Sequence, residues 1–139
     1  MTNSTTQKPP IWFWIVSIIG LIWNGMGVNA YLQQAYNTQS YQDMYTAEHL
    51  LFEANSPSYV KAAFAIAVFA GVLGFVFLLL RKKLGYTLLL VSLLAVAIQM
   101  SYYFIQDHII SLPMTLMIII GAIIFLVFAR FSKLKGWLN

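Results

Sequence analysis

The side chains best equipped for chemistry in this chain are amides and hydroxyls, and they recur at helical spacing. Ser92, Gln99 and Gln106 stand seven residues apart, with Ala95 and Tyr103 on the same face. Upstream, Asn24, Asn29, Gln33 and Gln34 interrupt an otherwise apolar run, with Gly25 and Gly27 among them. An amide left alone in hydrocarbon costs several kcal/mol by transfer scales, roughly 4–8. Both stripes are therefore expected to point at other helices. Such residues do one of two things. They hydrogen-bond neighbouring helices, worth on the order of 0.6 kcal/mol each, or they line a polar pathway or pocket for a solute rich in hydroxyls. Counting about 1.5 Å per residue from the starts of their helices, Asn24 and Gln99 reach similar depths, roughly 20 Å and 22 Å. A contact or near contact between these two amides is expected.

A second group is titratable. His49 and Glu53 are four residues apart on one helical face, a spacing that can ligate zinc. Asp107 and His108 are adjacent in another polar segment and can approach them. The plainer alternative is an exposed ion pair, a helix cap or a solvated loop. The chain carries no HExxH, no G-x-S-x-G, no phosphate-cradling glycine loop and no cysteine. No catalytic residue is nominated, no cofactor is expected, and a metal is expected only if these four residues assemble.

The elements that position these groups follow from hydropathy. The chain has 139 residues, 60% hydrophobic and 9% charged, with a mean hydropathy of +0.76. Soluble domains carry about 25% charged residues, and a chain this short cannot bury so much apolar surface in water. Four runs are long enough to cross a hydrocarbon core about 30 Å thick, at about 11–33, 57–80, 84–106 and 112–131. Ser56 and Pro57 are expected to start the second helix, and Ser111 and Pro113 the fourth. Within the long polar gap, Tyr41–Ala54 reads as one short amphipathic helix whose apolar side is Met44, Ala47, Leu51 and Ala54.

Charge sets the orientation. The four acidic residues, Asp43, Glu48, Glu53 and Asp107, all lie in the first and third gaps. Seven of the eight basic residues lie in the second gap and at the two ends, and only Lys61 departs from this. The positive-inside bias then predicts both termini in the cytoplasm. It also accounts for the net charge of +4 without a nucleic-acid partner. Residues 1–10 read as a disordered tail and 132–139 as a basic tail. A competing reading makes the first run a cleaved signal peptide, with Lys8 before it, Ile11–Leu21 as its apolar core and Val28-Asn29-Ala30 as the cleavage site.

Small residues recur every fourth position in the second span: Ala63, Ala67 and Gly71, and separately Ala70 and Gly74. This spacing lets helix backbones approach closely in lipid. It offers an interface either within the bundle or with a second copy.

Several stretches together resemble a known group. They are LIWNGMGV at 21–28 running into Ala30-Tyr31-Leu32, AAFAIAVF at 62–69, LLLRKK at 78–83, and Ser92-Leu93-Leu94 before Gln99-Met100. This is similar to small four-helix bacterial inner-membrane proteins, loosely labelled sugar transporters, over most of the chain from Ile11 to Trp137. The resemblance implies a bacterial cytoplasmic membrane and the same four-span topology. It brings no catalytic or binding residue. The expectation is thus an all-α, four-span bundle with both termini cytoplasmic and lipid as its surroundings. It binds or passes a small neutral polar solute such as a sugar, alone or as a homo-oligomer. The alternative is a non-transporting subunit that assembles with, senses or scaffolds another membrane protein.

Overall fold

The computed structural model describes residues 7–109 and 111–139. Six helices occur in the order α1 (Ile11–Tyr36), α2 (Gln39–Met44), α3 (Ala47–Ala54), α4 (Ser58–Leu79), α5 (Leu84–Ile105) and α6 (Leu112–Leu134), with no strand among the described residues. Helices α1, α4, α5 and α6 are long and apolar enough to cross a membrane. The chain is an all-α, four-span integral membrane protein.

The long helices pack in the order α1 on α4, α4 on α5, α5 on α6. The small residues of α4 make this possible. Ala63, Ala67, Ala70, Gly71 and Gly74 are all buried. A Cβ on Gly71 would collide with the Asn24 amide of α1, and one on Gly74 would come 2.8 Å from Leu89 of α5. Gly85 at the start of α5 faces the Gly74 carbonyl so closely that a Cβ would sit 2.7 Å from it. The whole face is therefore spent on the chain's own helices, so a second copy would have to dock elsewhere.

Several helix ends differ in detail from expectation. α1 runs on to Tyr36 and closes on Asn37, whose φ of 50 places it in the left-handed region. It passes unbroken through Gly25 and Gly27, and Val28-Asn29-Ala30 lies within it. Ser111 caps α6 as expected, accepting from the Met114 amide. Ser56 does not cap α4. Its Oγ turns back to donate to the Glu53 carbonyl at 2.7 Å, and Pro57 takes the N-cap position without a side-chain bond. α6 extends to Leu134, and the residues after it are packed, with Trp137 and Leu138 buried.

That packing closes the basic end. Trp137 stands edge-on to Trp12 and Phe13 at ring separations of 5.3 and 5.7 Å, and to Phe131 at 5.5 Å. Phe13, Phe75, Leu78 and Phe128 complete this core. Arg81, in the left-handed region at φ 61, turns the α4–α5 connection and ties it to both ends of the chain. Its guanidinium donates to the Trp137 and Gln7 carbonyls at 2.9 and 2.6 Å. The Gln7 amide donates to the Gly136 carbonyl at 2.7 Å. The 132–139 segment and residues 7–10 are thus pinned in place, while the tail residues 1–6 lie outside the described residues.

The acidic end departs furthest from the sequence reading. The expected single helix over Tyr41–Ala54 is two, broken at Tyr45-Thr46. Thr38 caps the first and Thr46 the second, each accepting an amide three residues on. The buried face is also inverted. Met44 and Leu51 are 62% and 63% exposed, whereas His49 and Glu53 are 7% and 4% exposed. The amphipathic rule assumes water outside and an apolar interior. Here the inward side of the helix faces a cavity lined by amides and phenols of the other helices, so the polar face turns in.

Candidate functional site

α1 and α6 meet through rings at the basic end, Trp12 against Phe128 and Phe131. Farther along, both helices line a cavity that runs between them toward the acidic end. Its upper part, ≈ 450 Å³, is lined by Asn29, Gln33 and Gln34 of α1, by Tyr41, His49 and Glu53 of the connecting helices, by Gln99 and Tyr103 of α5, and by His108. Its lower part, ≈ 350 Å³, is lined by Trp23, Asn24, Phe64, Ser92, Gln99 and Phe125 among others. The two parts share Ala30, Tyr45, Phe64, Gln99, Met100 and Met114, so they form one space with a polar mouth and a more apolar floor.

The helical periodicity places most of the amide stripe in this space. Gln99 is buried and belongs to both parts. Ser92 lines the floor, and its Oγ donates to the Ala67 carbonyl across the α4–α5 interface at 2.6 Å. Tyr103 reaches the mouth. Gln106 does not join them: it is the exposed C-cap of α5. Asn24 and Gln99 both face the lower cavity, but no hydrogen bond joins them among the described residues. Asn24 Nδ2 instead donates to the Gly20 carbonyl at 2.9 Å, and its oxygen rests over Gly71. Gln33 is the unsatisfied member: its Oε1 is buried without a hydrogen-bond partner. Such groups are rare because each lost partner costs about 1–3 kcal/mol.

At the mouth, α3 carries its titratable residues into the bundle. Glu53 accepts the Tyr103 hydroxyl and, on its other oxygen, the Gln34 amide at 3.3 Å. His49 Nε2 lies 3.8 Å from Glu53 Oε1. The other ring nitrogen of His49 bonds His108 Nε2 at 3.1 Å. His108 is sandwiched further by Phe52, at a ring separation of 3.8 Å. Burial pushes the Glu53 carboxyl above its ordinary value, against the pull of Tyr103, His108, Lys61 and Gln34. Burial and the neighbouring His108 hold the His49 imidazole below its ordinary value. Tyr41, beside them, is raised to about 12 by burial and then by Glu53 and Tyr45.

Of the four residues considered for a metal, three come together. Asp107 is apart, exposed and in the left-handed conformation that ends α5. The two nitrogens of His49 face different partners, Glu53 and His108, and no group of three or more such side chains placed to hold a metal is found among the described residues. Sequence reasoning placed Glu53 on the polar, outward side of an amphipathic helix. The one available signal was the i, i+4 pairing with His49, and it did not say which way the helix would face.

These features define a multi-pass membrane protein with a polar-mouthed cavity between α1 and α6. No protein-family model matches the chain, and no curated protein or solved structure matches it either.

Proposed function

We propose that this protein binds a small neutral polar solute, such as a polyol or sugar, in the cavity between α1 and α6. The proposal includes a bacterial cytoplasmic membrane, following the resemblance above, with the basic end and both chain ends on the cytoplasmic side. The observation that carries it is the cavity itself, ≈ 450 Å³ in its upper part, whose walls offer the Asn29, Gln33, Gln34 and Gln99 amides and the Tyr103 ring. These amides suit the hydroxyls of a bound solute, and the aromatic walls cover an apolar ring face. Fixed charge is confined to the mouth, which suits an uncharged ligand below it.

Gln33→Leu is the informative variant. It removes an amide from the cavity wall that makes no side-chain hydrogen bond through its oxygen to the protein, whereas Asn24→Leu also disturbs the α1–α4 contact over Gly71. Purified protein in lipid nanodiscs is titrated with a panel of polyols and simple sugars. The expected result is binding by at least one of them, weakened about tenfold or more in Gln33→Leu and Gln99→Leu, with melting temperature unchanged in Gln33→Leu. Equal affinity in wild type and both variants overturns the assignment.

A further inference from the structure

Glu53, His49 and His108 form a line from the surface of the acidic end to the wall of the cavity, and this line has a chemistry of its own. The two imidazoles share one hydrogen bond through His49 Nδ1 and His108 Nε2, at 3.1 Å. One of these nitrogens must hold a proton and the other a lone pair. His49 turns its remaining nitrogen toward Glu53 Oε1. A carboxylate there favours His49 protonated on Nε2 and bare on Nδ1, which makes His108 the donor through Nε2–H and leaves its Nδ1 bare.

We propose that Glu53 is a proton-binding carboxylate of the cavity, loaded from the acidic-end surface through His108 and then His49. The transfers balance as follows. Solvent delivers a proton to His108 Nδ1. His108 passes its Nε2 proton to His49 Nδ1, and His49 passes its Nε2 proton to the Glu53 carboxylate. The net change is one proton taken up and one negative charge removed. Both rings end as the opposite neutral tautomer, still hydrogen-bonded to each other with the donor reversed. The carboxylic O–H of Glu53 then faces the bare His49 Nε2. The 3.8 Å separation at this step exceeds a hydrogen bond, so the ring and carboxylate approach by about 1 Å for the last transfer.

The surroundings favour a proton resting on Glu53 over one on His49. Burial raises the carboxyl and lowers the imidazole, and each of those directions favours the neutral form. Around the pair stand the Tyr41 and Tyr45 rings, Tyr103 of α5, the Gln34 amide of α1 and Lys61 of α4. Lys61 Nζ reaches the Ala54 carbonyl at 3.4 Å. α6 brings only Met114 and Thr115 to this part of the cavity, preceded by its cap Ser111. Protonation removes the negative charge of Glu53 at the mouth of the solute cavity, so proton and solute occupancy become linked. That linkage rests on the solute reading; the proton site does not.

The test uses the full chain in nanodiscs without any solute, so it is independent of solute binding. Glutamate carrying a carboxyl isotope label isolates the infrared bands of Glu48 and Glu53, the two glutamates of the sequence. On lowering the pH, the two protonated-carboxyl bands are expected to rise apart, and the one that rises first is absent from Glu53→Gln. After a rapid pH drop, the band is expected to rise at least tenfold more slowly in His49→Gln and in His108→Gln, with its final amplitude retained. Concurrent titration of the two glutamates overturns the proposal, and so does an undiminished rate in both histidine variants. His108→Gln, altered at the half-buried outer ring, keeps the test valid if His49→Gln does not fold.

Discussion

Replacing Gly85 by alanine is expected to destabilise the bundle, although alanine is the better helix former. An added Cβ would lie 2.7 Å from the Gly74 carbonyl oxygen and 2.9 Å from Leu78 Cδ2. Ordinary C···O contacts begin near 3.3 Å, so α4 and α5 must separate by roughly 0.6 Å. The leucine can rotate, but the Gly74 oxygen is backbone and cannot. Overpacking of this kind costs about 1–3 kcal/mol. The gain in helix propensity is about 1 kcal/mol at most, and setting that full gain against the cost leaves a net loss of up to about 2 kcal/mol. Gly25 provides the control, because nothing lies within 4 Å of its added Cβ. Gly25→Ala should therefore show only the propensity gain. Reversible unfolding in mixed detergent micelles would compare the two, with Gly85→Ala shifted to easier unfolding by about tenfold in equilibrium constant. Finding Gly85→Ala as stable as Gly25→Ala would refute the close approach of α4 and α5.

Stability should also respond to pH in opposite directions in two variants. His49, held below its ordinary value, contributes stability that is present above about 6.5 and is lost as the pH falls. Glu53, raised, contributes stability that is present below its unfolded value and is lost as the pH rises through its folded one. Glu53→Gln should thus lose stability on acidification from neutral, and His49→Gln should gain it, as thermal melts across a pH series will show; parallel profiles would contradict both directions. Trp137→Ala removes a buried ring packed on Trp12, Phe13 and Phe131 and should cost about 3–5 kcal/mol, seen as a large fall in melting temperature. Ser92→Ala removes the bond to the Ala67 carbonyl and should cost only about 0.6 kcal/mol; a loss several times larger would mean that Ser92 supports more than this contact.

The four spans were legible because lipid-crossing length and hydropathy leave little freedom: the ends of α4 and α5 fall within a residue of expectation, and those of α1 and α6 within three. The Ala63/Ala67/Gly71 and Ala70/Gly74 spacings signalled close approach correctly, but spacing alone does not distinguish an internal neighbour from a second copy. The acidic-end segment was misread for a more general reason. Periodicity identifies which residues share a face, and the choice of face to bury depends on what lies on either side. The helix Ala47–Ala54 turns His49 and Glu53 inward, where Gln34 of α1 and Tyr103 of α5 bond the carboxylate, partners that no eight-residue window contains. Ser56 and Asn24 show the same limit on a smaller scale, since each satisfies itself on a nearby carbonyl rather than on the partner expected of it.

The seating of Trp137 has a consequence for transit. The buried cluster of Phe13, Phe75, Phe128 and Trp137 stands at the basic end of the bundle, so a route out of the cavity on that side would run past Trp137. The backbone next to it is hooked to the α4–α5 turn, with the Asn139 amide on the Arg81 carbonyl at 2.6 Å and the Lys83 amide on the Asn139 carbonyl at 2.9 Å. Opening the far exit and unhooking the last residues of the chain are therefore a single motion, and a probe attached near residue 139 would report on both.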